Sequence, residues 1–432
     1  MQVKSKSLFF ITILVLIASI FLSQYQVIEV IPKDDKRSSF ELSSVNATSP
    51  IEYFNETSFP RYTLVGKPLS LIQSPNKGFP VIIETDEILL IEAQAVSETT
   101  NWQFKLVSTA NNISLDILAP TFDISDNLWH FSTAPEEYIP GLYDLQLNCS
   151  AGDDYQTHTV KIVNQKTYPF KILHISDAHF PSYDGKNTTD INLDYIEHIN
   201  ALDADFAIFT GDLIDGYSAR DFVNPDTGDP LAAEVQIKLS LWAFDMIELP
   251  IYYVGGNHDL DSSTSLPDNP SDVWTKYFGK NYMFFNYIDW SFIGYTCSSS
   301  GLTKKGLNSV SSVFSTEKNK PNVLFYHADF MNQASNYRAS YNIEVMLYGH
   351  EHHEEKYVSD STLYHCEAPM FNNESSVITV LNETSVSLDD VVYDFSSLLE
   401  IPTTKTNFSI IFTLVTFQIV LLSRIKRRRK AE

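Results

Sequence analysis

The sequence predicts an α/β layered domain over residues 166–395, preceded by a smaller β-sandwich-like domain at 60–165. Two changes of texture and one alignment of residues lead there. Between Tyr62 and Val163, short β-like runs alternate with turn signals: Pro80–Glu84, Ile88–Ala93, Trp102–Val107, Leu142–Asn148 and His158–Val163. Few helical patterns interrupt them, which describes a small sandwich. From Tyr168 onward, apolar strand-like runs alternate instead with helical patterns at Asp190–Leu202 and Ala232–Leu249, and more weakly at Leu307–Ser315. That alternation predicts strand–helix–strand units. The third observation is that five of the apolar runs end in side chains able to bind metal.

The sandwich lacks the paired cysteines and central tryptophan of a true immunoglobulin domain. The expectation for it is a spacer or a module that gates substrate. Three cysteines, Cys149, Cys297 and Cys366, allow at most one disulfide and lack the paired spacing of a structural zinc site.

The 432 residues carry a formal charge of −24, and six basic residues are concentrated between Arg424 and Lys430. So acidic a surface repels nucleic acid, which excludes a nucleic-acid-coating role. It also repels anionic substrates, so phosphate chemistry here needs strong local positive charge such as bound metal.

Leu8 to Leu22 is nearly unbroken apolar sequence after Lys4 and Lys6, so residues 1–24 read as a signal peptide or signal anchor. Bulky Ile17, Ile20 and Phe21 spoil a cleavage site. Residues 25–59 read as a polar linker. At the other end, a stalk at 396–406 leads to an apolar segment at 407–424 and a basic tail at 425–432. This order predicts a transmembrane helix with a cytoplasmic tail, slightly short for the hydrocarbon layer unless Arg424 snorkels. The region between the two apolar segments would then lie outside the cytoplasm, at the cell membrane. Eight Asn-x-Ser/Thr sites, at Asn46, Asn55, Asn112, Asn148, Asn187, Asn373, Asn382 and Asn407, agree with an external glycoprotein.

The chemistry sits at the strand ends. Phe170–Ile175 leads into Asp177 and His179, and Phe206–Thr210 leads into Gly211-Asp212, with Asp215 three residues on. Ile251–Val254 leads into Gly256-Asn257-His258-Asp259, Val323–Tyr326 into His327, and Val345–Tyr348 into Gly349-His350-Glu351-His352. Five of the chain's eleven histidines fall at these endings, too many to be scattered core or surface residues. In an open α/β sheet the carboxyl ends of neighbouring strands converge on one crevice.

In this order, D-x-H, G-D-x-x-D, G-N-H-D, H and G-H-x-H, the chain resembles the calcineurin-like metallophosphoesterase superfamily over Lys171 to Asp394. The resemblance implies an αββα sandwich and two divalent metal ions. Asp177, His179 and His352 would bind the first, Asn257, His327 and His350 the second, and Asp212 would bridge them. Nitrogen and oxygen donors suit Mn, Fe or Zn. The mechanism implied is attack on phosphorus by a metal-bridging hydroxide. His258 would protonate the leaving oxygen, oriented by Asp215 or by its neighbour Asp259. Gly216 stands where protein Ser/Thr phosphatases carry a phosphate-binding arginine, and Arg220 is not an evident replacement. Asp215 stands where purple acid phosphatases carry a tyrosine.

The expected activity is hydrolysis of a phosphate mono- or diester, whether of a small molecule, a nucleotide or a lipid head group. The alternative is a catalytically silent metal-binding surface protein of the same fold. His353, Glu354 and Glu355 read as a solvated loop, since they do not complete H-E-x-x-H. His174 reads as a packed or hydrogen-bonded core histidine, and His365 as structural. Tyr282, Phe284, Phe285 and Trp290 read chiefly as core packing. Specificity is expected in the loops at Ser182–Asn192 and Tyr217–Leu231.

Overall fold

The computed structural model describes residues 70–392, apart from residues 126, 135–137, 185, 217–231, 262–267, 280–281, 300–303, 318–319, 330–331, 342 and 360–361. They fall in one compact unit, Thr48–Glu432. Both terminal apolar segments, the linker, the stalk, the basic tail, Arg220 and the loop at 217–231 lie outside the described residues. Among the described residues no helix is long and apolar enough to cross a membrane.

The N-terminal part pairs its strands into two sheets. One runs Ile72–Ser74, Leu90–Gln94, Leu128–Ser132, Thr121–Asp123; the other runs Val81–Glu84, Gly152–Val163, Gly141–Cys149, Gln103–Val107, Asn112–Ser114. Alternation explains the faces: in Gln103–Val107, Phe104 and Leu106 are buried while Gln103 and Lys105 are exposed. The buried set, with Ile83, Ile91, Phe131, Tyr143, Leu145 and Val160, forms one core.

The larger part begins with the strand Phe170–Ile175. Crossovers through helices Thr188–Ala201 and Ala233–Phe244 place Phe206–Phe209 parallel beside it and Ile251–Tyr253 parallel beside Phe206–Phe209. Glu374–Asn382 and Ser385–Val392 complete this first sheet on the other side, antiparallel. The second sheet holds Trp290–Tyr295, Asn322–Phe325, Ile343–Tyr348 and Thr362–Cys366 in parallel, with Tyr282–Tyr287 and Glu355–Ser359 as antiparallel edges.

The two sheets pack face to face through Ile172, Phe206, Ile208, Tyr252, Phe292, Val323, Phe325, Val345 and Leu347. Phe206 meets the rings of Tyr252, Tyr287 and Phe292 at 5.3–5.7 Å. Each such buried ring contributes about 1.5–3 kcal/mol. The outer face of the first sheet is covered by Tyr195, Ile199, Ile237, Phe244 and Trp274 of its helices. The outer face of the second is covered by Val310, Phe314 and Tyr337 of helices Lys304–Thr316 and Gln333–Ser340. The order is therefore helix, sheet, sheet, helix. Phe285 stacks on Tyr252 at 3.8 Å and Trp290 is fully buried, so both are core.

The five ligand-bearing strand ends do not come from one sheet. Three belong to the first sheet and two to the second. The strand ends therefore converge across the gap between two sheets, as the αββα arrangement implied by the resemblance requires, rather than along one open sheet.

The sandwich is joined to this body by a turn. The Gly78 carbonyl accepts from Tyr253 N at 3.2 Å, at the edge of the first sheet. A Cβ on Gly78 would stand 2.8 Å from the Phe278 carbonyl oxygen, so only glycine fits that approach. Beside it Lys77 Nζ pairs with Asp245 Oδ1 at 2.7 Å, which also accepts from Thr157 Oγ1 at 2.6 Å. All three cysteines are free and buried.

Candidate metal centre

Sharp turns follow the strands, and the backbone there is held in unusual conformations. Asp177, His179, Asp212, His350 and His352 all have positive φ, between 47° and 78°. For non-glycine residues this left-handed region costs energy and persists only where surrounding structure enforces it. Cross-pairing between the turns enforces it here. Asp177 N donates to Gly211 O at 2.9 Å, His179 N to Asp212 O at 3.0 Å, and Gly349 N to His327 O at 3.0 Å. The glycines permit close approach: a Cβ on Gly256 would lie 2.6 Å from the His327 ring, and one on Gly349 would lie 2.5 Å from Asp177 Oδ2.

Two groups of donors result. In the first, Asp177 Oδ1 lies 3.6 Å from His179 Nε2 and 3.3 Å from His352 Nε2, and the two imidazole nitrogens are 3.1 Å apart. In the second, His327 Nε2 lies 3.1 Å from both Asn257 Oδ1 and Asp212 Oδ2, and His350 falls in the same cluster. Asp212 Oδ2 also stands 3.7 Å from His179 Nε2, so this carboxylate reaches both groups.

The donors fit cations. Ligands bound at about 2.0–2.2 Å leave neighbouring donor atoms about 3–3.5 Å apart, close to these separations. Asp177 and Asp212 are essentially inaccessible to solvent, and each of their ion-pair partners among the described residues is a histidine. Asp177 Oδ1 is buried and accepts no hydrogen bond. Buried carboxylates without Lys or Arg demand another positive charge.

The electrostatics agree. Burial opposes ionisation of Asp177, but contacts with His179 and His352 and the charge of His327 hold its carboxyl well below the usual range. Asp212 is lowered in the same way by His327, His258 and His179 against the effect of burial. Burial works against the His327 imidazolium, yet Asp212 raises its pKa to about 9. Positive charge is favoured between these residues, and a cation would take the place of that proton. His327 Nδ1–H donates to Thr210 O at 2.8 Å, which aims Nε2 at the cluster.

His258 lies alongside. Its Nδ1–H donates to the Asp215 carbonyl at 2.6 Å, and Asp215 Oδ1 is 3.7 Å from the same nitrogen. Nε2 faces Asp212 Oδ2 at 3.9 Å, while the His258 amide donates to Asp212 Oδ1 at 2.9 Å. Burial lowers the His258 pKa, but Asp212 and Asp215 outweigh it and the net shift is upward.

Asp259 does not share that geometry. Its carboxylate accepts from Leu213, Ile214 and Gly256 amides at 3.2, 3.1 and 2.9 Å, so it staples two site turns together. Burial, with the charge of Asp212, raises its pKa to about 7. The place beside the imidazole belongs to Asp215.

Residues 170–354 match the family model described as calcineurin-like phosphoesterase. The chain carries a calcineurin-like phosphoesterase domain. Similar solved structures include that of PhoD, 9% identical, covering 75% of this chain and 87% of that one with a TM-score of 0.43. The phosphopantetheinyl hydrolase PptH from Mycobacterium tuberculosis is 11% identical, with 52% and 97% covered and a TM-score of 0.32. A novel archaeal phosphodiesterase is 12% identical, with 51% and 100% covered and a TM-score of 0.27. Nothing among curated proteins matched the chain.

Beneath the centre of the phosphoesterase domain runs a buried polar bridge between the sheets. His174 Nδ1 meets His365 Nδ1 at 2.8 Å, His174 Nε2 meets Thr210 Oγ1 at 2.9 Å, and His365 Nε2 meets Ser376 Oγ at 3.2 Å. Glu367 Oε2 lies 3.8 Å from His174, and burial raises the Glu367 pKa well above the ordinary value. The sequence marked His174 and His365 as structural but gave no sign of Glu367. Nor did it single out Tyr183, whose ring lies 4.3 Å from that of His179 and 4.9 Å from that of His352. Burial, then Asp215, Asp212 and Asp177, raise the Tyr183 pKa, which keeps the phenol neutral. His353 is exposed, as expected of a solvated loop.

Gly256→Ala is expected to displace Asp212 and His327 and to lower metal content, read by elemental analysis of the purified chain, while circular dichroism stays unchanged. A variant retaining the parent's metal would show that this approach does not seat the two ligands.

Proposed function

We propose that this chain is a membrane-anchored, extracytoplasmic phosphoesterase that hydrolyses phosphate mono- or diesters with two divalent cations, Mn, Fe or Zn. The observation that carries the reading is the position of Asp212. One of its oxygens lies 3.7 Å from His179 of the first donor group and 3.1 Å from His327 of the second. Asp177, His179 and His352 would hold one cation, Asn257, His327 and His350 the other, with Asp212 shared. When bound, the cations would supply Lewis-acid activation of water and neutralise charge on the phosphoryl oxygens.

The remaining chemistry belongs to the chain. The Asp215 carbonyl fixes the proton on His258 Nδ1, so Nε2 is the nitrogen turned to the site. Protonated, His258 would donate from Nε2 to the leaving oxygen, a step worth about 10²–10⁴ in rate. The Asp215 carboxylate, 3.7 Å away, favours that imidazolium. Substrates from small-molecule esters to nucleotides and lipid head groups are compatible with this machinery. The placement outside the cytoplasm is supported by the basic flanks of both apolar segments and by the Asn-x-Ser/Thr sites.

With chromogenic phosphomonoester and phosphodiester substrates, His258→Ala is expected to keep the fold and the metal and to lose about 10²–10⁴ of kcat. Asn257→Ala should keep the fold and lose turnover together with bound metal. Parental rates in both variants would remove these roles. A reporter joined after Glu432 should be protected from outside the cell, and external access to it would refute the orientation.

A further inference from the structure

The side chains gathered at the centre are carboxylates, imidazoles and one amide. Gly216 stands where protein Ser/Thr phosphatases carry a phosphate-binding arginine, so another donor is needed to grip the phosphoryl group besides cations. The hairpin formed by Ser182–Tyr183 and Lys186–Asn187 supplies a group of the needed kind. The helix that follows it directly, Thr188–Ala201, is tied to the ligand turn: Thr188 Oγ1 donates to His179 O at 2.6 Å, and Asn192 Nδ2 to Ala178 O at 2.8 Å.

This anchoring lays the Tyr183 ring against the first donor group. Its centroid is 4.3 Å from that of His179, 4.9 Å from His352 and 6.2 Å from His258. Phe371 backs it, stacked at 5.2 Å and itself buried, and Lys186 Nζ lies 5.6 Å from the Phe371 ring centre. Tyr183 is only partly buried, and its hydroxyl makes no hydrogen bond to the described residues. A phenol held beside two imidazoles and still open to solvent is a donor without an acceptor. A phosphoryl oxygen is an acceptor without enough donors.

Building on the phosphoesterase reading, we infer that Tyr183 is a substrate-contacting residue, its hydroxyl donating a hydrogen bond to a phosphoryl oxygen of the ester held beside Asp177, Asp212 and His352. The phenol stays neutral near pH 7, so it adds a donor without adding charge. Lys186, further out on the same hairpin, adds positive charge at the approach. A hydrogen bond to a charged oxygen corresponds to about a tenfold change in affinity or more.

The test uses the full chain loaded with manganese and reads three quantities: bound metal, the affinity of inorganic phosphate by calorimetry, and kcat and KM for phenyl phosphate. Tyr183→Phe keeps the ring that packs on the histidines and removes only the hydroxyl. It should retain parental metal content, bind phosphate about tenfold more weakly and lose a similar factor in kcat/KM. Lys186→Ala should weaken phosphate less, and its effect should fade in high salt. Unchanged phosphate affinity in Tyr183→Phe overturns the inference. So does a loss of metal alongside phosphate, because the residue would then act through the ligands. A parent that binds phosphate and shows the Tyr183 effect but turns over no ester would instead overturn the proposed activity and leave this contact standing.

Discussion

Asp212 is a carboxylate removed from water and ringed by His327, His179 and His258 at 3.1, 3.7 and 3.9 Å. A buried negative charge is tolerated only when positive charge or donors meet it. Here the His258 amide meets one oxygen and imidazoles face the other. The remainder of the centre follows from satisfying this group. The second donor set closes around it, the first touches it through His179, and the His258 turn is fixed by donating to it.

The scaffold holds that arrangement against local cost. Five of the ligand residues occupy left-handed backbone that side chains disfavour, which requires the turns to be clamped from several sides. Two sheets meeting at a shared aromatic core provide the clamp. Backbone amide hydrogen bonds run directly from one ligand turn to the next, and Asp259 gathers three amides from two of them. Below, the His174–His365 bridge ties the sheets together and reaches the centre through Thr210, whose carbonyl also orients His327. The geometry of the donors is thus a property of the whole sandwich rather than of any one loop.

Much of this was legible in the chain. Asp177, His179, Asp212, Asn257, His327, His350 and His352 stand at strand ends because a strand that stops at glycine or a polar residue releases its next side chain at the sheet edge. That local rule needs no tertiary knowledge. The partition of those ends between two sheets did need it, because a parallel strand reads the same in either sheet. Three-residue edge strands such as Asn112–Ser114 escaped notice since they are too short to display a period. Glu367 was missed, and Tyr183 was marked only as part of the loop Ser182–Asn192, for another reason. Each is a single residue whose meaning comes from distant partners, Phe371 for one and His174 for the other. Asp215 and Asp259 were inseparable by position; in the structure Asp259 accepts from three backbone amides, while the Asp215 carboxylate stands 3.7 Å from His258 Nδ1.

The shared position of Asp212 is the claim on which the others stand. Crystals of the chain soaked in manganese and measured for anomalous scattering would test it most directly. The account predicts two peaks, one among Asp177, His179 and His352 and one among Asn257, His327 and His350, with Asp212 between them. A single peak, or none in contact with Asp212, would contradict it.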